Sequence, residues 1–479
     1  MVKREAKPIR HGRARWYLLA AVALVTVAVV GVRLVDLDTL KPRVEALASD
    51  LLGLEVTIDG AIGLRLRPMP QVVVGQVRLD RDGAPVARVD EVRLRFALVP
   101  LLTGETRVTG IDLVRPDIRL VRDADGRFNL GGGDAEADDD GSFSLSALDL
   151  IDATLTYVDQ ASGSELLAEG CDLTLPALQV VANKGSSLLA RIELQGQIGC
   201  DRVTRGDLVL TDVATNLTGA AGRYSLEPVT ATVLGGRGSG SLGADFTAAP
   251  PGYQLDYRID GLQLDQFMRM LAPESQAAGQ LDFTATLTAR GTTEDALTRS
   301  ADGTVSVRGS DLTVNGIDLD QNLANYQSTQ EFSLLDAGAL ILAGPVGLVV
   351  TKGYDYTGLI RESGGTTRIR TMISDWRVSD GGLLTRDVAL ATELYRLAAT
   401  GRIDLPSRRF DGFTMAIIDT HGCAVVEQEI VGTLDDPGIK KTSAVTSMFG
   451  PLSNLIKKGI DSVTGSDCTV FYDGAVPPS

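Results

Sequence analysis

The sequence predicts a mainly β protein, in which an N-terminal transmembrane helix precedes a long, curled antiparallel sheet with a few short capping helices. Three observations support this fold class. Residues 16–32 form an uncharged run of seventeen residues. Beyond about residue 54, apolar and polar residues alternate with the period of two that is typical of strands with one buried face. Clusters rich in Gly and Asp separate these runs, which indicates roughly 20 to 25 strands.

The N-terminus has the features of a membrane anchor. Residues 1–15 carry six cations and one acid, and the apolar stretch that follows extends over residues 16–35, which is long enough to span a bilayer. A cleaved signal peptide is the alternative, but its apolar core would be shorter, and Val30-Gly31-Val32 is a poor cleavage site. We therefore expect a single-pass inner-membrane protein of a bacterium, with residues 1–15 cytoplasmic and the bulk of the chain periplasmic.

Helical spacing predicts a short amphipathic helix over Asp38–Gly53, directly after the anchor. Further short helices are expected over residues 264–273, 292–300 and 318–327, and a helix kinked at Pro451 over residues 442–463.

The acidic segment at residues 131–142 contains five acids and no large apolar residue, so we interpret it as a flexible linker. The predicted units are an N-terminal helix with the start of the sheet (37–130), this linker, an extended antiparallel sheet (143–440), and a C-terminal helix with a disulfide-tethered strand (441–479).

The apolar face of such a sheet has to be buried. A closed barrel or sandwich would bury it as core, and the alternation by itself favours that arrangement. A sheet that curls only partway would leave an apolar groove able to hold acyl chains. The candidate groove residues are the inward positions of three strands: Val92, Leu94, Phe96, Leu255, Tyr257, Ile259, Leu281, Phe283 and Leu287.

The chain contains four cysteines, at positions 171, 200, 423 and 468. An even number in an oxidising compartment suggests disulfides, and local pairing of Cys171 with Cys200 and of Cys423 with Cys468 is the simplest of three connectivities. Four buried free thiols are the alternative. Zinc needs close ligand pairs, which the sequence lacks, so no metal site or other cofactor is predicted.

The sequence gives little indication of catalysis. It has no phosphate-binding loop and no nucleophile elbow, and its histidines are His11 and His421. The close-spaced glycines at 235–240 are interpreted as a hairpin turn. A carboxylate pair of a hydrolase stays open as a third alternative, although no pair stands out. The net charge of −16 argues against a nucleic-acid partner.

Segments near both ends resemble the AsmA family. Residues 40–79 show its short helix ending in Gly, a strand, Gly60, and a strand closing on Pro68-x-Pro70. Residues 108–130 resemble its two strands that end in a turn with Asp125, Gly126, Arg127 and Asn129. Residues 153–163, 431–440 and 468–474 are similar to later segments of the family.

This resemblance implies a periplasmic protein anchored in the inner membrane. Its sheet would form an open groove related to the repeating β-groove of chorein-type bridge lipid-transfer proteins. Phospholipid would be its partner, and its role would be lipid transport in outer-membrane assembly. No catalytic residues follow from the family. The alternative is a non-catalytic scaffold with a closed β core that docks periplasmic or outer-membrane proteins.

Overall fold

The structure is a computed structural model. It describes residues 37–65, 70–97, 108–125, 127–129, 143–181, 188–271, 276–316, 318–321, 323–324, 365–434, 436–440 and 468–478. The predicted anchor, the acidic linker and the C-terminal helix lie outside the described residues, as do residues 322 and 325–327 of the helix expected at 318–327. The described residues 319–321 and 323–324 of that predicted helix are helical. Within the described ranges, no helix combines the length and apolarity needed to cross a membrane.

The described residues form one sheet of 21 strands. The first eleven strands are β1 (Glu55–Ile58), β2 (Ile62–Arg65), β3 (Gln71–Arg81), β4 (Ala84–Phe96), β5 (Val108–Arg122), β6 (Phe143–Leu145), β7 (Leu148–Asp159), β8 (Ser164–Val180), β9 (Ile192–Arg205), β10 (Leu208–Ala220) and β11 (Arg223–Val233). The remaining ten are β12 (Gly236–Asp245), β13 (Gly252–Gln263), β14 (Ala277–Arg290), β15 (Asp302–Asn315), β16 (Thr366–Ser379), β17 (Gly382–Ala391), β18 (Arg396–Asp404), β19 (Arg409–Ile418), β20 (Ala424–Gly432) and β21 (Pro437–Ile439).

The sheet is an open meander in which each strand pairs mainly with its neighbours in the chain. From β7 to β21 every pairing is antiparallel, as the alternation predicts. β1 and β2 both pair with β3 at one end, and β21 lies at the other. No pairing among the described strands joins the two ends, so the sheet curls without closing.

One pairing departs from the antiparallel expectation. β5 and β7 run parallel, with Ile111 opposite Leu148 and Arg122 opposite Asp159. Parallel neighbours need a connection of a dozen residues or more. Residues 123–147 provide that length and include the acidic segment. The hydrogen-bonded sheet therefore continues from β5 to β7, although the sequence predicts a linker between two units at residues 131–142.

Short helices in the described part of the chain flank the sheet, among them α1 (Lys41–Leu52), which follows a 3₁₀ turn at Leu37–Leu40, α2 (Leu188–Arg191), α3 (Leu264–Leu271) and α4 (Glu294–Ser300). α1 covers the edge of β1, because the backbone N–H of Val56 donates to Ser49 Oγ (2.9 Å) and that of Ile58 donates to Glu45 Oε1 (2.7 Å). Covering an edge in this way protects it from pairing with other chains.

The inner face of the sheet carries the main hydrophobic core, which extends from β11 to β20. The core is densest at the C-terminal end, where Leu390, Leu397 and Phe413 are fully buried. Trp376 of β16 stacks on Phe413 of β19 with ring centroids 6.2 Å apart, although two strands separate them. This end of the sheet therefore curls tightly around a filled core.

The outer face of β16–β19 is covered by residues 468–478, the C-terminal tail. Tyr472 and Val476 pack on six residues of that face: Ile373, Ala389, Ala391, Ala398, Ala416 and Ile418. The tail makes one β-bridge, between Val470 and Cys423. The backbone N–H of Tyr472 donates to the Gly422 carbonyl oxygen (3.0 Å). Side chains add further contacts, since Tyr472 Oη donates to Asp387 Oδ1 (2.5 Å) and the Arg396 guanidinium lies 5.6 Å from the Tyr472 ring.

The cysteines pair as the local-connectivity prediction expects. Cys171 bonds Cys200, its directly opposite neighbour on β8 and β9, and the pair is buried with Ala153 and Ala168. Cys423 bonds Cys468 over a separation of 45 residues and ties the C-terminal tail to β20.

Candidate functional site

Five leucines lie in register across five consecutive strands of the inner face. Leu217 of β10 is opposite Leu226, which is opposite Leu242, followed by Leu255 and then Leu287 of β14. We call these five residues the leucine row. Because strands are spaced about 4.8 Å apart, the row runs for about 19 Å across the strands.

The leucine row is accessible to solvent. Leu242 is 38% exposed, and the other four leucines are only partly buried. The next inner-face residues along the row are glycines, Gly196 on β9 and Gly303 on β15. The leucine row is therefore flanked at both ends by residues without side chains. Solvent-accessible apolar surfaces of this kind are uncommon and often mark binding sites.

Beside the leucine row, Tyr257 occupies space that glycines leave free. A Cβ atom added to Gly238 would lie 2.2 Å from Tyr257 Oη, and one added to Gly240 would lie 2.7 Å from Tyr257 Cα. Burial raises the pKa of the Tyr257 phenol, so it stays a neutral hydroxyl.

The turn predicted at 235–240 is wrong beyond its first residue. The chain turns at Leu234 and Gly235, and Gly236–Gly240 belong to strand β12.

An aromatic rim of Tyr224, Phe246 and Tyr253 borders the leucine row on its other side. The ring of Phe246 contacts Tyr224 and Tyr253 edge-on, at centroid distances of 5.8 and 6.1 Å. Tyr224 Oη donates to the Leu189 carbonyl of α2 (2.6 Å). Tyrosines suit such a border because the ring is apolar and the hydroxyl is polar.

The parts of the sheet on either side of the leucine row, which we call its two walls, contact each other through Arg122 and Arg205. Arg205 Nη2 of β9 lies 3.6 Å from Glu294 Oε1 of α4. Arg122, the last residue of β5, donates from Nη2 to the Thr292 carbonyl oxygen (2.8 Å) and from Nη1 to Asp159 Oδ2 (3.3 Å). Thr292 follows β14, so this contact bridges a curl of the sheet that contains the seven strands β7–β13. On the opposite side of the row, Phe267 and Met268 of α3 are buried against the main core.

The structure brings together six of the nine predicted groove residues. Leu255 is opposite Leu287, and Ile259 is opposite Phe283, on one face of β13 and β14. Tyr257 and Leu281 lie on the same face, where Ile259 and Leu281 are core residues with 4% and 3% exposure. The other three, Val92, Leu94 and Phe96, lie on β4, where Val92 packs against a separate N-terminal cluster.

Sequence reasoning missed three members of the leucine row. Leu217, Leu226 and Leu242 each stand among Thr, Ser, Gly or Glu neighbours, so no single strand looks strongly apolar. The available signal was the alternation of Gly236, Gly238 and Gly240, which marks β12 as a strand whose inner face accommodates a neighbouring side chain.

The fold and the row define a class of protein: an open, curled β-sheet with a solvent-accessible apolar strip on its inner face. A family model of the AsmA family matches the chain over residues 13–179 and 176–381. These matches span more than half of the chain, which therefore belongs to the AsmA family, as its terminal motifs suggested. No curated protein matches the chain.

Proposed function

We propose that this protein binds phospholipid acyl chains along the leucine row and supports lipid transport in outer-membrane assembly. The observation that carries this proposal is the register of five accessible leucines across β10–β14. An acyl chain lying on the row would cross the strands and leave its headgroup in water near the aromatic rim. No reacting group takes part, so the proposed activity is non-catalytic.

The hydrophobic effect supplies the affinity. Each CH₂ group transferred from water to an apolar surface contributes about 0.8 kcal/mol, so ten methylenes contribute about 8 kcal/mol before the entropy cost of association. Gly196 and Gly303 continue the row without side chains of their own. A chain could then slide along the row, because apolar contact has no preferred register.

The proposed location is the bacterial inner membrane. Residues 16–35 would anchor the chain with residues 1–15 in the cytoplasm, and the sheet would lie in the periplasm. The two disulfides support an oxidising compartment. Family membership supports the link to the outer membrane, and a periplasmic or outer-membrane protein would receive the lipid.

Site-specific photo-crosslinking tests the proposal in the full chain in its own membranes. A photoreactive residue at Leu242 should capture phospholipid, which mass spectrometry identifies after extraction. The same residue at Ser239 is the matched control, since Ser239 is exposed on the outer face of the same strand. Capture of protein alone at Leu242, or equal lipid capture at both positions, would count against an acyl-chain site.

The C-terminal end favours a second, structural role. Inner-face residues of β16–β19, among them Leu390, Leu397 and Met415, are buried around Trp376 and Phe413, and the tail covers the outer face. We infer that this end closes the groove and acts as a scaffold, so that lipid binding is confined to the part around β10–β14. A photoreactive residue at Leu397 should accordingly capture no lipid.

A further inference from the structure

The outer, polar face of the sheet contains a basic depression between β13 and β17. Two adjoining hollows of about 390 and 520 Å³ share Thr304 and Arg386. Four arginines line them: Arg258, Arg308, Arg377 and Arg386. Three carboxylates also line them: Asp282, Asp302 and Asp375. The lining thus has an excess of cations, in a chain with a net charge of −16.

A β-bulge places Arg386 in this depression. Asp375 of β16 is opposite Asp387 of β17, while the next residue, Trp376, is opposite Thr385, so Arg386 is the extra residue of β17. Bulges commonly redirect a side chain at functional positions. Arg377 lies on the adjacent strand, opposite Leu384, and lines the same hollow as Arg386.

The pairing within the depression leaves two guanidinium groups available. Asp375 is already engaged, since Arg308 Nη2 contacts its Oδ2 (2.5 Å) and Ser306 Oγ donates to its Oδ1 (2.5 Å). Arg258 pairs with Asp260 in its own strand. Among the contacts of the described residues, Arg377 and Arg386 have neither an ion pair nor a side-chain hydrogen bond, and both are exposed.

We propose that the basic depression binds a phosphate group through Arg377 and Arg386. Two planar guanidinium groups on neighbouring strands offer paired N–H donors that match the oxygens of a phosphate. The phosphate belongs either to the headgroup of an anionic phospholipid or to a free anion. The site lies on the face opposite the leucine row, so it does not depend on acyl-chain binding there.

Calorimetric titration of the full chain in a neutral detergent tests this site with two soluble probes. Inorganic phosphate represents the free anion, and glycerophosphoglycerol represents a lipid headgroup without its chains. We expect binding of at least one probe, and a loss of at least tenfold in affinity in the double variant R377Q/R386Q. Tighter binding of glycerophosphoglycerol would assign the site to headgroups, and tighter binding of phosphate would assign it to free anions.

Two further variants sharpen the result. Arg386→Lys keeps the charge but removes the planar donor pair, so its affinity should fall between those of the wild type and the double variant. Arg269→Gln is the control, because Arg269 is an exposed arginine of α3 that pairs with Asp265 outside the depression. The proposal is overturned if neither probe binds the wild type, or if R377Q/R386Q binds both probes as the wild type does.

Discussion

Arg122 and Thr292 touch across the curl of the sheet, with 2.8 Å between the guanidinium Nη2 and the carbonyl oxygen. They are 170 positions apart in the chain, and β7–β13 lie between them along the sheet. The same guanidinium holds Asp159, which also accepts hydrogen bonds from the backbone N–H groups of Ala161 and Ser162. Together with the pair of Arg205 and Glu294 (3.6 Å), this contact joins the two walls beside the leucine row.

Replacing Arg122 by Ala should loosen the contact between the walls. The lost charged hydrogen bond corresponds to about 1.5–3 kcal/mol of local stability. Hydrogen exchange followed by mass spectrometry should then show faster exchange at residues 119–122 and 291–293. Arg119→Ala is the control, because Arg119 is an exposed arginine of the same strand. Equal exchange in the two variants would show that the contact does not hold the walls.

Replacing Leu242 by Asp should weaken lipid binding without unfolding the sheet. Leu242 is 38% exposed, so a carboxylate there stays hydrated in the free protein, but a bound acyl chain would desolvate it. The loss of one leucine contact of about 1.5–3 kcal/mol predicts at least a tenfold weaker dissociation constant for a fluorescent phospholipid. Leu394→Asp is the control, since Leu394 is 60% exposed in the β17–β18 loop. An unchanged affinity in Leu242→Asp would place the lipid elsewhere.

Replacing Gly240 by Ala should disturb the pairing of β12 with β13. The added Cβ would lie 2.1 Å from the Asp256 carbonyl oxygen, which is backbone and cannot turn away. Overpacking of this kind costs about 1–3 kcal/mol in the free energy of unfolding, measured by urea denaturation. Gly243→Ala should be neutral, because its nearest neighbour would be 3.6 Å away. Equal stability of the two variants would contradict the register described for β12.

Replacing Cys468 by Ser should release the C-terminal tail. Closing a loop with a sequence separation of 45 residues contributes about 3–4 kcal/mol in the chain-entropy model. We expect a lower melting temperature and protease cleavage within residues 468–478. The Tyr472 hydroxyl and Arg396 still contact the sheet and the tail, so Cys468→Ser combined with Tyr472→Phe should be cleaved faster still. A protected tail in the double variant would show that neither contact is needed.

Acidic pH should strengthen the junction of β4, β5 and β7. Burial raises the pKa of Asp112, and the nearby Asp149 carboxylate raises it further, while the positive charge of Arg95 acts in the opposite direction. Arg95 Nη2 lies 2.8 Å from Asp112 Oδ1 and 2.7 Å from Asp149 Oδ2. A carboxyl whose pKa is higher in the folded protein contributes stability below its unfolded pKa of about 3.9 and loses it as the pH rises through the folded value. Corrected hydrogen-exchange rates at residues 110–114 should therefore fall as the pH decreases from 7 toward 4.

Asp112→Asn should remove most of this pH dependence, because the amide does not titrate. Asp117→Asn is the control, since Asp117 is exposed on the same strand. A pH dependence in Asp112→Asn as steep as in the wild type would assign the effect to another group.

The strands were predictable because their signal is local. The alternation in Leu281–Gly291 identifies β14 and its apolar face, and the structure keeps Leu281, Phe283 and Leu287 on that face. The helix at 292–300 was predictable for the same reason, since Thr293 caps it with a bond from the Ala296 N–H. The disulfide of Cys171 and Cys200 joins adjacent strands, so the expectation that cysteines close in the sequence pair with each other predicted it as well.

The sequence by itself determined that the chain is built mainly of strands, which face is apolar in strands with a clear alternation such as β14, and to which family the chain belongs. Only the tertiary structure decided that Leu217, Leu226 and Leu242 join Leu255 and Leu287 in one row. Cross-strand register is a long-range property, and a slip of one residue would turn any of these leucines to the opposite face. The parallel pairing of β5 with β7 and the packing of the C-terminal tail on alanines of the outer face were likewise decided only by the tertiary structure. Each depends on where a distant segment returns to the sheet, which no local pattern records.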